Sequence, residues 1–504
     1  MRQAANLGEA YEPVPGDTLL VLGAFWVMED IADLIALNRK GVRVGTLVHD
    51  VIPITHSEYC VRSLTDSFKS CFLSVLNIAD FILTVSDHTG RCVLDFISRN
   101  GIAPIPVRTL RSAHKTWDAP ERRTSISPAI AQLVKEDYVL YVSTIEIRKN
   151  HTYLFRIWKR LIEQRGEKNV PRLVFVGRAG WRVQDLMDQL KSTSNLNGRI
   201  KILHDLSDAE LAELYRSSMF TVFPSFEEGW GLPIGESLIF GRPCIATNTS
   251  SAPEVAGDFV DYADPFNISE GYAKVVRFID DKAYREQRAA NIRENFRPRS
   301  WNDVAADLVE TVQSLLGDPN LKKRVGEPPL LAPGQRYQFG HGGDMSNFID
   351  SGDALIAAFS LDRQWYPTED FGRWMKGQSA TAEFRVEQAT GAPVLLMLEI
   401  NTVPWLGSTQ LQISVNGTSY PLVKPKPGSQ QTLLLETAAA DGKISLEFRL
   451  VGDVAEGSDV RKDLVFGLCS LGYAASTDLL SRLILFEEIV LSNHRIKRLK
   501  PTLT

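Results

Sequence analysis

The chain has 504 residues, 44% of them hydrophobic and 23% charged, and a formal net charge of −5. At roughly 150 residues per domain this is a globular protein of about three domains, and with no basic excess or long like-charge block it is expected neither to bind nucleic acid nor to carry a charged tail. MRQAANLGEAYEPVPGD at the start lacks the basic flank, apolar stretch and cleavage pattern of a secretory signal, and no apolar run approaches the roughly 20 residues that span a bilayer, so a cytoplasmic protein is expected.

In chain order, the apolar runs TLLVLG, VRVGTLVHD, FILTVS, YVLYVS, RLVFVG, IKILHD, FTVFPS and PCIATN read as strands, with amphipathic helical stretches between them. Nearly continuous apolar strands separated by helices predict βαβ units and parallel, doubly wound sheets. The polar segment LRSAHKTWDAPERRTSISP divides them, which predicts one Rossmann-like domain over 1–125 and another over 126–318. After the linker GDPNLKKRVGEPPLLAPGQ the pattern changes to ATAEFRVEQ, PVLLMLEIN, TQLQISVNG, QQTLLLET, KISLEFRLV and DLVFGLCSLGY, punctuated by NG, DG and PG turns. Residues 335–504 are therefore expected to form an antiparallel β-sandwich. Cys60, Cys71, Cys92, Cys244 and Cys469 form neither a CxxC pair nor a disulfide framework and are read as small core residues.

Open α/β sheets bind ligands beyond the carboxyl ends of their strands, so the loops there are the candidates for chemistry. EEGWGLPIGE, residues 227–236, follows a buried strand, and Pro233 suits the first turn of a helix. Gly229 and Gly231 would let a ligand approach the main chain, and amides at the helix start would accept phosphate. Glu228 and Glu236 are carboxylates, which accept hydrogen bonds from sugar hydroxyls instead. Taken alone, Glu236 is read equally well as a complement to the helix dipole.

The longer run FPSFEEGWGLPIGESLIFGRPCIATNTSSAPEVAGD closely resembles the signature of retaining glycosyltransferases of family 4, in particular their mannosyltransferase-like branch. YVLYVSTIEIRKNHTYLFRIW, LVFVGRAGW and KILHDLSDAELAELYRSS are similar to further segments of that family, and LGAFW, LVHDVIPITH and FILTVSDHTGRCVLDFI to its acceptor-side domain. The resemblance implies the GT-B fold, here two Rossmann-like domains with a shortened N-terminal one, followed by the sandwich. It implies that Glu228 lies by the transferred sugar and Glu236 holds the nucleotide ribose. Gly229, Gly231, Leu232 and Pro233 would line sugar and phosphate, while Arg148 and Lys149 neutralise the diphosphate without a metal. His204 and Leu206 would border the base, and His49 with Asp50 would stand near the donor sugar. Ser86, in TVSDHT, is read as a helix N-cap.

The implied activity is transfer of a hexose, with mannose from GDP-mannose as the expected case, to a glycan or lipid-linked acceptor with retention. Peripheral contact with the inner face of the plasma membrane would follow for a lipid-linked acceptor. The chain departs from the family in lacking the initial strand, glycine-rich loop and long helix, and in carrying the sandwich. In the sandwich, Trp365, Tyr366 and Trp374 are read either as sugar-stacking faces or as rim packing. The shortened N-terminus keeps open a noncatalytic glycan-binding or scaffold subunit, and the shared fold keeps open a sugar-nucleotide epimerase.

Overall fold

The structure, a computed structural model, describes residues 12–27, 31–114, 126–388, 391–452, 464–491 and 495–499. The chain divides into two compact units, one of Thr46–Thr65 and Phe81–Lys322, the other of Met1–Gly45, Asp66–Asp80 and Lys323–Thr504. The first strands in chain order are β1 (Thr18–Val21), β2 (Arg43–Val48), β3 (Phe81–Thr84) and β4 (Val107–Thr109), and β3 and β4 pair in parallel within the first of these units. All four residues of β3 are buried, as an unbroken apolar run requires. Helix Asp87–Arg99 follows, capped as expected by Ser86, whose hydroxyl accepts from the Thr89 amide at 3.1 Å.

The second sheet of the same unit comprises β5 (Tyr138–Val142), β6 (Arg172–Val176), β7 (Ile200–Leu203), β8 (Phe220–Phe223), β9 (Cys244–Thr247) and β10 (Asp261–Ala263). Its order is β10-β9-β8-β5-β6-β7 and each pairing is parallel. That is the doubly wound order, in which the chain moves outward from β5 through β7 and returns to the other side of β5 at β8. The core beneath one face gathers Tyr141, Ile157, Trp158, Phe175, Phe220, Phe223, Ile234 and Phe278. Trp158, fully buried, satisfies its indole N–H on the Pro171 carbonyl at 2.9 Å.

The other unit holds two further sheets. One has the order β11 (Leu330–Leu331), β14 (Ser379–Val386), β19 (Lys443–Val451), β16 (Gln410–Val415), β17 (Thr418–Ser419). The other runs β12 (Arg336–Gln338), β20 (Phe466–Ala475), β15 (Pro393–Thr402), β18 (Gln430–Ala438), β21 (Arg495–Leu499), with β13 (Arg373–Trp374) also pairing β20. Pairing is antiparallel except for β11 with β14 and β18 with β21. Strands β14 and β19 alternate buried and open positions, and their buried residues share one core with Leu396, Leu398, Leu433, Leu468 and Tyr473 of the other sheet. Trp365 belongs to that core: it is 3% exposed, donates its indole N–H to Thr381 and packs edge-on against Phe448. Packing, not sugar stacking, explains this residue. Trp374 is half-buried and donates to Glu369 at 3.2 Å, and Lys376 lies 5.5 Å from the Tyr366 ring. Helices Met345–Asp350, Asp353–Ser360 and Leu479–Leu491 interrupt the strand pattern expected for this region. No helix of the described residues is long and apolar enough to cross a membrane. All five cysteines are free, and three of them are buried.

Candidate active site

The strand order locates the crevice. Where a doubly wound sheet reverses direction, the loops leaving the two central strands diverge and leave space beyond their carboxyl ends. Here those strands are β5 and β8, and their loops carry Arg148 and Lys149 on one side and Glu227 through Gly231 on the other. Asn150, in the left-handed region at φ 57°, ties the loops together by donating to the carbonyls of Pro224 (3.1 Å) and Pro265 (2.9 Å). The Phe226 amide donates to the Arg148 carbonyl at 3.0 Å.

Glu228 is 6% exposed and is gripped by both cations. Lys149 Nζ lies 2.6 Å from Oε1 and Arg148 Nη1 2.9 Å from Oε2. Burial alone would raise the carboxyl pKa, but Lys149 and Arg148 outweigh it and hold the group at about 2. Glu228 is consequently an anion throughout the neutral range and cannot serve as a general acid. Arg148 also donates to Glu146 Oε1 at 2.8 Å and to the Glu227 carbonyl at 2.6 Å. Burial disfavours its charge, yet Glu228 and Glu146 more than compensate and raise its pKa. Lys149 lies 5.5 Å from the centre of the Phe223 ring, and its carbonyl accepts from the Tyr141 hydroxyl at 2.6 Å.

Two glycines shape the loop for different reasons. A Cβ on Gly229 would lie 2.1 Å from the His49 carbonyl oxygen and 3.1 Å from Asp50 Cβ, so main chain meets main chain there. Gly231 stands at φ +107°, a conformation that a side chain strains, and it opens helix Leu232–Ile239 with Pro233 in the first turn. Trp230 anchors the turn from within, 7% exposed, its indole donating to the Ala113 carbonyl at 2.8 Å. The segment after β9 closes the loop from the other side. Ser250 Oγ accepts from the Glu228 amide (3.1 Å), Ser251 donates to the carbonyls of Glu228 and Trp230 (3.0 and 2.8 Å), and Thr249 donates to that of Phe226 (2.9 Å).

Glu236 lies beyond the first helical turn, which contains no acidic residue, so the dipole reading of this carboxylate does not hold. It is buried and accepts the Tyr215 hydroxyl at 2.7 Å. Burial and the neighbouring carboxylate both push the Tyr215 pKa up, keeping the phenol a donor. His204 is exposed just past β7 and contacts Asp205 at 2.8 Å, Asp205 in turn pairing with Arg178; Leu206 follows, half-buried. His49 is exposed beyond β2, and its carbonyl accepts from Thr89 at 3.4 Å. Asp50 is half-buried and accepts from the Ile52 amide at 3.1 Å. Burial raises its pKa against the pull of that amide and of Arg148, and Glu228 adds to the rise.

Of the residues expected from sequence, Arg148, Lys149, Glu228, Gly229, His49 and Asp50 meet in one place. Glu236 with Leu232 and Pro233 follow on the adjoining helix, and His204 with Leu206 stand two strands away, beyond β7. Glu146, Tyr215, Ser250 and Ser251 were not singled out by that reading. Glu146 and the serines sit inside the motifs STIEIRKN and TNTSSAPEV and were open to notice, whereas the pairing of Tyr215 with Glu236 is a tertiary contact.

Residues 123–295 match the family model described as Glycosyl transferases group 1. An O-antigen chain mannosyltransferase B of Escherichia coli is 28% identical over 298 residues, covering 58% of this chain and 77% of that protein. A serotype-specific mannosyltransferase WbdA of the same organism is 25% identical over 293 residues, covering 56% of this chain but only 35% of its own length. Among solved structures, an α,α-trehalose-phosphate synthase (UDP-forming) from Burkholderia vietnamiensis is similar at a TM-score of 0.49 and 15% identity, covering 63% of this chain and 73% of the other. The parallel sheets and the match at 123–295 make this an α/β chain of the GT-B fold class, with β5–β10 lying in the region that is similar to group 1 glycosyl transferases.

Proposed function

We propose that the protein transfers a hexose from a nucleoside diphosphate sugar to a glycan or lipid-linked acceptor, with mannose from GDP-mannose as the donor case and retention of anomeric configuration, in the biosynthesis of a polysaccharide or cell-surface glycan. The observation that carries the reading is the buried Glu228 carboxylate shared by Arg148 and Lys149 at the mouth of β5 and β8. The sequence similarity to mannosyltransferases supports the sugar.

In this reading the donor runs along the strand ends, with sugar at Glu228, diphosphate between Arg148, Lys149 and the helix start at Leu232 and Pro233, ribose at Glu236, and base near His204 and Leu206. As the bond to the anomeric carbon breaks, negative charge grows on the departing diphosphate and positive charge on the sugar ring. The two cations stabilise the first and the Glu228 anion the second, and because these groups are already fixed, little reorganisation is needed. Charge compensation by Arg148 and Lys149 lets the step proceed without a metal ion. The acceptor hydroxyl attacks from the face that the diphosphate leaves, and a diphosphate oxygen takes its proton. Glu228 thus acts as a charge, not as a nucleophile or acid.

Incubating the full chain with radiolabelled GDP-mannose, and in parallel with UDP and ADP sugars, tests the proposal. Label passing into a mannose-terminated oligosaccharide acceptor, with the α-linkage confirmed by NMR, is the expected result. Isomerised donor without acceptor would support an epimerase, and glycan binding with no donor turnover would support a binding subunit.

A further inference from the structure

We infer that His88 is a positioning residue which, through Glu227, holds the Glu228 loop in its working conformation. This rests on the reading of Glu228 given above. His88 lies in the first turn of helix Asp87–Arg99, and its Nε2 meets Glu227 Oε1 in a short contact. Both side chains are largely buried, at 22% and 10% exposure. Glu227 directly precedes Glu228, and its carbonyl accepts from Arg148, the residue that also binds the Glu228 carboxylate.

A second carboxylate reaches the same helix end. Glu254, in helix Ala252–Ala256, accepts the main-chain N–H groups of Asp87 (2.7 Å) and His88 (2.8 Å). Helix amides left without internal partners are thereby satisfied, and the helix end is fixed from a second element. One helix turn is therefore held by two carboxylates, Glu227 and Glu254, that flank the segment Glu228–Trp230 and its serine clamp in the chain. The groups facing the imidazole are Glu227 and the Cys92 thiol, whose sulfur lies 3.7 Å from Nε2. Cys92 and Glu227 together lift the imidazole to about 10 against the opposing effect of burial. The ring is a cation at neutral pH, and its contact with Glu227 is a buried ion pair.

Loss of His88 leaves the Glu227 carboxylate buried without its cation, loss of Glu227 leaves the imidazole with the Cys92 thiol in place of its counter-ion, and in either case the loop is free to shift. Catalysis is sensitive to such shifts because a displacement of about 1 Å can cost about a hundredfold in rate.

The test uses the full chain and the variants His88→Gln, Glu227→Gln, His88→Lys and the His88→Gln/Glu227→Gln double variant. Two readouts are taken: amide hydrogen exchange across residues 226–231, and kcat and KM for the donor. His88→Gln is expected to speed exchange and to lower kcat, each by about tenfold or more, with KM within about threefold; His88→Lys should restore most of kcat, and the double variant should be no worse than the poorer single. Unchanged exchange and kcat in His88→Gln, or losses that multiply in the double variant, would overturn the proposal. Absence of transfer by the wild type would sink the functional reading alone, since exchange still reports on the clamp. If the variants fail to fold, nitrogen NMR of the wild-type imidazole decides: a cation at pH 8 supports the pair, and a neutral ring there overturns it.

Discussion

Glu228→Gln is expected to lower kcat by about 10²–10³-fold, as removal of a preorganised group facing developing charge does elsewhere. It should also lower stability by about 3–5 kcal/mol, because Arg148 and Lys149 would be left buried beside a neutral amide. Both follow from one geometry, and kinetics per folded molecule separates them from each other. The pH dependence follows from the same ion pairs. The folded carboxyl is depressed from 4.5 to about 2, so the stability it contributes is fully present above 4.5 and is lost as pH falls through about 2. Denaturant unfolding of the wild type and Glu228→Gln at pH 7 and pH 3 should show the difference between them narrowing in acid. A variant with wild-type kcat would remove Glu228 from the chemistry.

Gly229→Ala is the second large effect. The added methyl would sit 2.1 Å from a main-chain oxygen, that of His49, and no side-chain rotation relieves the overlap. The Glu228 loop and the His49–Asp50 segment must then move apart, at a cost of about 1–3 kcal/mol or more. A shift of that kind should reduce turnover by about a hundredfold. Gly317→Ala is the control, since a Cβ there meets nothing within 4 Å and the φ value is not in the strained range. Melting temperature and kcat measured on both variants check the prediction. Wild-type behaviour in Gly229→Ala would mean that the two segments are not held as described.

How far these features could be read from the residues depends on how local their cause is. The strands β5, β6 and β8 are continuous apolar runs buried on both faces, and such runs declare themselves without tertiary context. Pro233 and Gly231 likewise mark the helix start through their own backbone restrictions. Strands β14, β15, β16, β18, β19 and β20 were legible from alternation and turn residues. The two-residue strands β11, β13 and β17 were not, because nothing in so short a stretch distinguishes a strand from a loop.

Within the site, the spacing of Glu228 and Glu236 was visible, but the partners of each were not. Lys149 meets Glu228 across 79 residues because β5 and β8 are neighbours in one sheet, and His88 meets Glu227 across 139 because the helix after β3 packs against the loop after β8 of the other sheet. The expectation that Arg148 and Lys149 meet a diphosphate left out the carboxylates that already bind them. Trp365 shows a related limit in the sandwich: the residues left sugar stacking and packing both open, and the fold decides for packing by placing it in the core.

The most direct test of a nucleotide-sugar site between β5 and β8 is thermal unfolding of the chain with GDP, UDP and ADP and their sugar conjugates, with Glu236→Ala as the control. A ligand of the native state at a hundredfold excess over its dissociation constant adds about 2.7 kcal/mol of stability. The proposed site requires a clear rise in melting temperature with one nucleotide family, GDP in the favoured case, and loss of that rise in Glu236→Ala. No rise with any of them, or an equal rise in the variant, would contradict the site.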